Sequence, residues 1–251
     1  MRNSLLAGVL AVVLGVTGWS AYSQHQAQQR PPGYLAEAVN GAALVGAPPA
    51  DGSPRAIAER NHYEATRALQ GSARWKLAVR DNELTPAALF GGFGCAAGVA
   101  MSAETTPATA KLMSRVGTDV GRASAAAKGA HHRDRPAVGN DRPICIDRDR
   151  ALMENSSWPS GHAMLGWTYA LLLAELVPEQ ADAVLLRGRQ FGDSRVVCGV
   201  HYPSDVEAGR TVGAALVARL HAEPQFLADM AAAKAELATA ERVQCKLSPA
   251  G

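Results

Sequence analysis

Apolar positions recur at a spacing of three to four residues over most of the chain from residue 54 onward, as in helices with one buried face. After Thr106-Pro107, for example, Leu112 and Val116 fall on the same helical face. The pattern predicts helices over residues 54–80, 85–101, 106–127, 163–175, 179–197, 204–221 and 224–242. Because no segment of weight alternates as a strand does, we expect an all-α fold with a single compact helical domain.

One predicted helix is apolar on almost every side. It covers residues 163–175, and a helix of this composition belongs in a buried, central position. Its 13 residues are too few to cross a bilayer. The tetrapeptide from Ser204 to Glu207 has the form of a capping box and should start the next-to-last helix. Gly209 and Gly213 would let that helix pack closely against a neighbour.

The first residues have the features of an export signal. Arg2 supplies a positive charge, and the 14 residues 5–18 form an apolar run. The small residues Ala21 and Ser23 stand where a signal peptidase reads the chain, so we expect a signal peptide over residues 1–23. The alternative is an uncleaved anchor, for which the apolar run is short.

The mature chain divides into two parts. Residues 24–54 are rich in Gln, Pro, Gly and Ala without an apolar period, which predicts an N-terminal arm and not a packed element, and residues 55–251 form the helical domain. Export implies a periplasmic or secreted protein with no stable membrane insertion after cleavage. In such a compartment disulfides are expected, and three pairings are open to the four cysteines Cys95, Cys145, Cys198 and Cys245.

Composition limits the choice of partners. The 251 residues are 47% hydrophobic, enough for one sizeable core, and the formal net charge is only +2. This charge gives no reason to expect nucleic acid or an anionic membrane as a partner. Charged residues outside local clusters are expected on solvated faces, Arg187 and Arg189 among them.

Three polar clusters interrupt the helical pattern, and a long loop over residues 140–157 separates the first two. In chain order the clusters are the run from Lys128 through Arg135 to Pro136, the tetrapeptide Pro159-Ser160-Gly161-His162, and Ser194-Arg195 followed by His201 and Asp205. The second cluster lies where the predicted buried helix begins. We therefore expect the residues that carry the chemistry of the protein to lie in these clusters.

The clusters contain what phosphoryl transfer without a metal requires. Negative charge spreads over the phosphate oxygens in the transition state, and Lys128, Arg135 and Arg195 are fixed cations that can take the place of magnesium. Ser160 and Gly161 add backbone donors at a helix N-terminus, and glycine lets the backbone approach an oxyanion closely.

The clusters also contain a nucleophile and an acid. The neutral imidazole of His201 can attack phosphorus, while Asp205, one helical turn later, fixes its tautomer and stabilises the developing charge. His162 is the candidate that protonates the leaving group. The two histidines then need opposite protonation states, which predicts a bell-shaped pH profile.

Each residue also has an ordinary structural explanation. Taken alone, Ser160 could be a helix N-cap, Asp205 could complement a helix dipole, and Arg195 could lie on the surface. Their occurrence together, at set spacings and in a fixed order, favours a site. Adjacent side chains point apart on a helix, so the pair His131-His132 is not expected to bind a metal.

Together the clusters resemble the motif of the type 2 phosphatidic acid phosphatase superfamily, which reads Lys-x6-Arg-Pro, Pro-Ser-Gly-His and Ser-Arg-x5-His-x3-Asp. Within it the chain is similar to the class A bacterial nonspecific acid phosphatases, from about residue 55 to 242. The resemblance implies a helical fold, a periplasmic location, broad phosphomonoester specificity, and no metal or cofactor. It assigns His201 as nucleophile, Asp205 as its partner, His162 as general acid, and Lys128, Arg135, Ser160, Gly161 and Arg195 as phosphate ligands.

The chain departs from that family at Ala137, Trp158 and Ala163, where an aromatic residue, a Tyr and a Thr are usual. Two other functions share the site chemistry. One is a vanadate-dependent haloperoxidase, a usually longer protein with vanadate on His201, and the other is a non-catalytic phosphate-binding protein. Phosphotransfer to a nucleoside hydroxyl would extend the phosphatase activity. The physiological substrate, homo-oligomer formation and the pH optimum remain open.

Overall fold

The helices begin and end largely where the sequence supplies caps. The computed structural model describes residues 31–244. Its α-helices are α1 (Gly41–Val45), α2 (Pro54–Thr66), α3 (Ala73–Arg80), α4 (Pro86–Ala97), α5 (Pro107–Ala130), α6 (Arg150–Glu154), α7 (Gly161–Leu176), α8 (Ala181–Cys198), α9 (Pro203–Leu220) and α10 (Pro224–Thr239). Two 3-10 turns, Arg67–Leu69 and Pro178–Gln180, follow α2 and precede α8.

Capping side chains account for several of these boundaries. Ser53, Ser72 and Thr85 each accept a hydrogen bond from the amide three residues later, at 3.1 to 3.3 Å. A proline occupies the first helical position of α2 and α4. Helices α4 and α8 end at Gly98 and Gly199, with φ of 67° and 85° in the left-handed region. The signals that start and stop these helices are therefore local.

The predicted buried helix is confirmed as α7, which packs against α4, α5, α8, α9 and α10. Its approach to α9 requires glycine. A Cβ at Gly209 would lie 2.4 Å from the carbonyl oxygen of Ser160, and one at Gly213 would lie 2.9 Å from that of Met164. The contact brings the two N-termini together, where the Ser160 amide donates to the Asp205 carbonyl at 2.9 Å.

The all-α prediction is confirmed for the described residues. No strand forms between residues 31 and 244, where one isolated bridge joins Val99 to Arg242. The described residues from Gly33 onward belong to one compact unit. Across the same stretch, each helix is too short or too polar to cross a bilayer. The predicted signal peptide and Cys245 lie outside the described residues.

Part of the predicted N-terminal arm is packed. The Tyr34 amide donates to Asp119 Oδ2 at 2.7 Å, and its hydroxyl donates to Asp229 Oδ2 at 2.7 Å. Helix α1 follows, and Trp158 Nε1 donates to the Gly46 carbonyl at 3.0 Å. The expectation of an unpacked segment is therefore wrong for these residues. Individual hydrogen bonds hold them in place, and such contacts produce no apolar periodicity in the sequence.

The predicted capping box is also wrong. Helix α9 begins at Pro203, and its N-cap is Tyr202, whose amide donates to Asp205 Oδ2 at 2.7 Å. Ser204 is already inside the helix, and its amide donates to Glu59 Oε1 at 2.8 Å. The start is shifted because proline, which lacks an N–H, suits the first helical position. Asp205 is consequently the capping carboxylate.

Tethers to α8 hold the predicted loop over residues 140–157. Cys145 and Cys198 form a disulfide. Arg67 donates to a carbonyl of this loop and to three carbonyls at the C-terminal end of α8, so one guanidinium caps the helix and binds the loop. The loop is not entirely irregular, because it contains α6. Cys95 is disulfide-bonded as well.

The prediction of a solvated face is wrong for Arg187. This side chain is buried, and its guanidinium donates to both carboxylate oxygens of Asp81. Ser194 Oγ also donates to Asp81 and accepts from Arg74 Nη1 at 2.9 Å. The network fixes the turn after α3 against α8. Asp81 lies over a hundred residues before Arg187 in the chain, so local spacing could not reveal their contact.

Candidate active site

Four helix ends meet at one place and bring the predicted site residues together. Lys128 lies in the last turn of α5 and Arg195 in the last turn of α8, whereas Gly161 begins α7 and Asp205 lies in the first turn of α9. The others lie on connections or beside these ends: Arg135 after α5, Ser160 and His162 at the start of α7, and His201 between α8 and α9. The ends of α7, α8 and α9 are held by the caps and tethers described above.

Arg195 is a buried cation that forms no ion pair with any carboxylate between residues 31 and 244. It is 2% exposed, and its Nη1 donates to Asn82 Oδ1 at 3.2 Å. Its Nε has no hydrogen-bond partner in the described part of the chain. Burial lowers the pKa of Arg195 to about 9, so the group remains charged at neutral pH. An unsatisfied donor on a buried cation suits a bound anion.

Arg135 and Lys128 interact with neutral backbone groups. Arg135 donates from Nη1 to the Val200 carbonyl and from Nε to the Leu152 carbonyl, both at 2.8 Å. Lys128 Nζ donates to the Ser156 carbonyl. Burial lowers the pKa of Arg135 to about 10 and that of Lys128 to about 8. Both groups therefore carry a positive charge at acidic pH.

These cations form no direct ion pair in the part of the chain that the structure describes. Between residues 31 and 244, no carboxylate oxygen lies within 4.0 Å of the charged nitrogens of Lys128, Arg135 or Arg195. Like charges gathered in a partly desolvated site repel one another, and an unpaired buried charge is costly. The arrangement therefore favours binding of an anion that can interact with all three.

The N-terminus of α7 adds neutral donors. Ser160 Oγ accepts from the Ala163 amide at 3.3 Å, so the N-cap explanation is correct, while the hydroxyl hydrogen stays available for a ligand. The first-turn amides of Gly161 and His162 have no preceding helical carbonyl to bind. A Cβ at Gly161 would lie 2.8 Å from Ser124 Oγ, which places that α5 hydroxyl beside this turn.

His201 presents one nitrogen to a cation and the other to a carboxylate. Its Nε2 lies 3.1 Å from Arg135 Nη1, and because arginine only donates, Nε2 is the acceptor. Its Nδ1 lies 3.4 Å from Asp205 Oδ2. Burial, followed by the charges of Arg135 and Lys128, lowers the pKa of His201 well below its ordinary value. The imidazole is thus neutral, with the lone pair on Nε2.

His162 lies at the edge of the same charge cluster. Its Nε2 is 3.3 Å from the Asn82 carbonyl, and its ring stacks on Phe191 with 6.2 Å between centroids. Burial, followed by the charge of Arg195, lowers the pKa of His162 well below its ordinary value. His162 is therefore neutral before an anion binds.

Three residues of this region escaped prediction from the sequence. Arg133 Nη1 lies 2.6 Å from Asp205 Oδ1, and its Nη2 lies 2.7 Å from Glu59 Oε2. Asn82 contacts both the buried arginine of α8 and the histidine of α7. The place of Arg133 inside the first cluster was a usable signal. Glu59 and Asn82 come from the α2 and α3 region, and no spacing marked them.

Within residues 31–244, no group of three or more His, Cys, Asp and Glu side chains is placed to hold a metal ion. His132 of the adjacent pair lies in an exposed position, with Nε2 3.0 Å from Asp134 Oδ1.

Residues 110–226, which include all eight predicted site residues, match the model of the PAP2 superfamily. Over 195 residues the chain is 42% identical to an acid phosphatase of Zymomonas mobilis subsp. mobilis, covering 76% of this chain and 72% of the relative. The chain therefore belongs to the PAP2 superfamily, the class that its three clusters indicated.

Other relatives narrow the class. The chain is 36% identical over 204 residues to a non-specific acid phosphatase of Providencia stuartii, covering 80% of this chain and 82% of the relative. It is 36% identical over 203 residues to one of Salmonella typhimurium, covering 80% and 81%. The predicted resemblance to bacterial nonspecific acid phosphatases is confirmed.

Proposed function

We propose that this chain is an exported acid phosphatase that hydrolyses phosphomonoesters through a phosphohistidine on His201, without a metal ion. Its family makes it a phosphatase. One observation carries the mechanism. Lys128, Arg135 and Arg195 surround a neutral histidine whose Nε2 bears the lone pair, and no carboxylate between residues 31 and 244 lies within 4.0 Å of these cations. Such a site attracts a phosphate group and presents a nucleophile to it.

In the first step, Nε2 of His201 attacks phosphorus and the bond from phosphorus to the ester oxygen breaks. The cations and the first-turn amides of α7 stabilise the charge on the phosphate oxygens. His162 donates its proton to the leaving alkoxide, so a neutral alcohol departs. Asp205, beside Nδ1, stabilises the positive charge that develops on the imidazole.

In the second step, water attacks the phosphohistidine. His162, now neutral, accepts a proton from that water, and the bond from phosphorus to Nε2 breaks to release inorganic phosphate. His201 returns to its neutral form. If an alcohol enters in place of water, the same step gives phosphotransfer, which is why we include that activity in the proposal.

Substrate binding supplies the proton for the first step. In the empty site, burial and the charge of Arg195 keep the pKa of His162 low. A bound phosphate cancels much of this positive field and raises that pKa, so His162 gains its proton together with the substrate. The rate rises with pH as His201 becomes neutral, and it falls at higher pH as His162 loses its proton.

Export is supported by the disulfide between Cys145 and Cys198, which suits an oxidising compartment, and by the apolar leader in the sequence. The substrate class follows from the donor set. It recognises the phosphate group, and no partner beyond small phosphomonoesters is required.

The test is hydrolysis of p-nitrophenyl phosphate from pH 4 to 8 in excess EDTA. We expect wild-type turnover to survive EDTA and to be lost in His201→Ala, whereas His132→Ala, an exposed histidine of the first cluster, retains it. Phosphate binding without turnover in folded wild-type protein would favour the binding-protein alternative. Halide oxidation with vanadate would favour the haloperoxidase.

A further inference from the structure

Arg133 joins the catalytic carboxylate to a second buried acid. One guanidinium nitrogen, Nη1, lies 2.6 Å from Asp205 Oδ1, and the other, Nη2, lies 2.7 Å from Glu59 Oε2. All three side chains are largely buried, with exposures of 11% for Arg133, 6% for Glu59 and 0% for Asp205. The central carbon of the guanidinium, Cζ, lies over the Tyr202 ring, 4.1 Å from its centroid. Arg133 is therefore fixed in position and direction.

Both carboxylate oxygens of Asp205 are bound in this arrangement. Oδ1 accepts from Arg133, and Oδ2 accepts from the Tyr202 amide at 2.7 Å while it faces His201 Nδ1 at 3.4 Å. With one oxygen bound to Arg133, rotation of the carboxylate away from His201 would break a charge-assisted hydrogen bond. The cation also opposes the tendency of a fully buried carboxyl to take up a proton.

We infer that Arg133, held in place by Glu59, is a positioning residue that keeps Asp205 ionised and directed at His201. The chain of contacts runs from His201 through Asp205 and Arg133 to Glu59. We call this chain of contacts the relay. The inference rests on the proposed function, since it assigns the relay to the step in which His201 becomes phosphorylated. Arg133 does not touch the substrate and acts through Asp205.

A purely structural role is the competing explanation. Arg133 and Glu59 also connect α2 to the start of α9, because Arg133 Nη1 donates to Ser204 Oγ at 2.9 Å and Glu59 accepts from the Ser204 amide. If Arg133 and Glu59 only clamp the two helices, loss of Arg133 would affect folding, and its effect on the phosphorylation rate would add to that of losing Asp205. If Arg133 acts through Asp205, its loss would have no further effect on that rate once Asp205 is gone.

The first experiment is a double-mutant cycle on the burst of p-nitrophenol that reports phosphorylation of the enzyme. We expect Arg133→Met to slow the burst by about 10- to 100-fold, as for a group that orients another. Arg133→Lys should restore little, since a point donor cannot bridge both carboxylates. In an Asp205→Asn background, Arg133→Met should change the burst by less than about threefold. Multiplicative losses would overturn the inference.

Arg60 provides the matched control. It lies near the Tyr202 ring at 5.3 Å from its centroid and donates to the Pro136 carbonyl at 2.9 Å, but it has no contact with Asp205. Arg60→Met should leave the burst rate within about threefold of the wild type. Because Arg133→Met strands the carboxylate of Glu59, the variant Arg133→Met/Glu59→Gln, which removes both charges, is measured beside it.

The second readout is the pH dependence of the burst, which a folding defect would not shift. The groups facing Asp205 are His201 and Tyr202 from its own segment, Lys128 from α5, and Arg133 and Arg135 from the connection after α5. Without Arg133 the carboxyl should take up a proton at higher pH, so the acid-side decline should move to higher pH. A uniformly lower, unshifted profile would contradict the relay.

The two proposals fail differently. If wild-type protein gives no burst and no phosphorylated enzyme, the proposed function fails. If the wild type is phosphorylated normally and the single variants Arg133→Met and Arg133→Lys have the same burst rate as the wild type, the relay alone is refuted.

Discussion

The contact between α7 and α9 sets the geometry of the site, and Gly209→Ala tests this directly. The new Cβ would lie 2.4 Å from the Ser160 carbonyl oxygen, whereas ordinary contacts begin near 3.4 Å, so the helices must separate by about 1 Å. The two nearest atoms, the Ser160 carbonyl oxygen and the Met164 amide nitrogen, are backbone, and the third is the Cβ of Ala163 at 3.2 Å, so no flexible side chain can move aside. The shift displaces Ser160 and His162 relative to His201.

Overpacking of this kind costs about 1–3 kcal/mol, offset by the roughly 1 kcal/mol by which alanine exceeds glycine in a helix. We therefore expect a net loss of stability between zero and about 2 kcal/mol. A displacement of about 1 Å between reacting groups can reduce turnover by about 100-fold. The variant should thus lose far more activity than stability.

The assay compares kcat for p-nitrophenyl phosphate with the free energy of unfolding in urea. Gly121, in the middle of α5, is the matched control, because a Cβ there meets nothing within 4 Å. Gly121→Ala should raise stability by about 0.5–1 kcal/mol and leave kcat unchanged. If Gly209→Ala behaved in the same way, helix contact would not set the geometry and the reasoning would be refuted.

Two further predictions follow from the charges at the site. Arg195→Lys should lower kcat/KM by about 100-fold, because lysine cannot reproduce a planar fork of donors, and Arg189→Lys on the same helix should change it little. The empty enzyme should lose stability as pH falls below about 6.5, by about 1.4 kcal/mol per pH unit for buried His201, since the unfolded chain gains protons that the folded chain excludes. Urea unfolding at pH 7 and 5.5 measures this, and inorganic phosphate should reduce the loss. Equal kcat/KM for both lysine variants, or a pH-independent stability, would contradict these expectations.

Local signals made the fold predictable and singled out the residues of the candidate site. Helical periodicity identified the buried α7, and the three clusters contained the eight residues that the fold gathers. These eight residues lie together because they stand at helix ends, where a residue that caps or follows a helix has its position fixed by neighbours in the sequence. The spacing from Arg195 through His201 to Asp205 spans one such end and the next beginning.

Interactions between distant segments were not predictable in this way. The sequence around Arg187 predicts a surface residue, but Arg187 is buried against the distant Asp81. Tyr34 is likewise held by individual hydrogen bonds to distant residues. The start of α9 required a choice between two capping patterns, which the proline at position 203 decided. Arg133 lies within the first cluster, but no sequence rule links it to Glu59, the carboxylate that binds its guanidinium.

The central claim is that His201 itself carries the phosphoryl group. The most direct measurement is rapid mixing of the enzyme with radiolabelled phosphomonoester, an alkaline quench that preserves phosphohistidine, and mapping of the labelled peptide. We predict label on the peptide containing His201, stable in base and lost in acid, and none in His201→Ala. Turnover with no labelled enzyme at any mixing time, or label on another residue, would contradict the account.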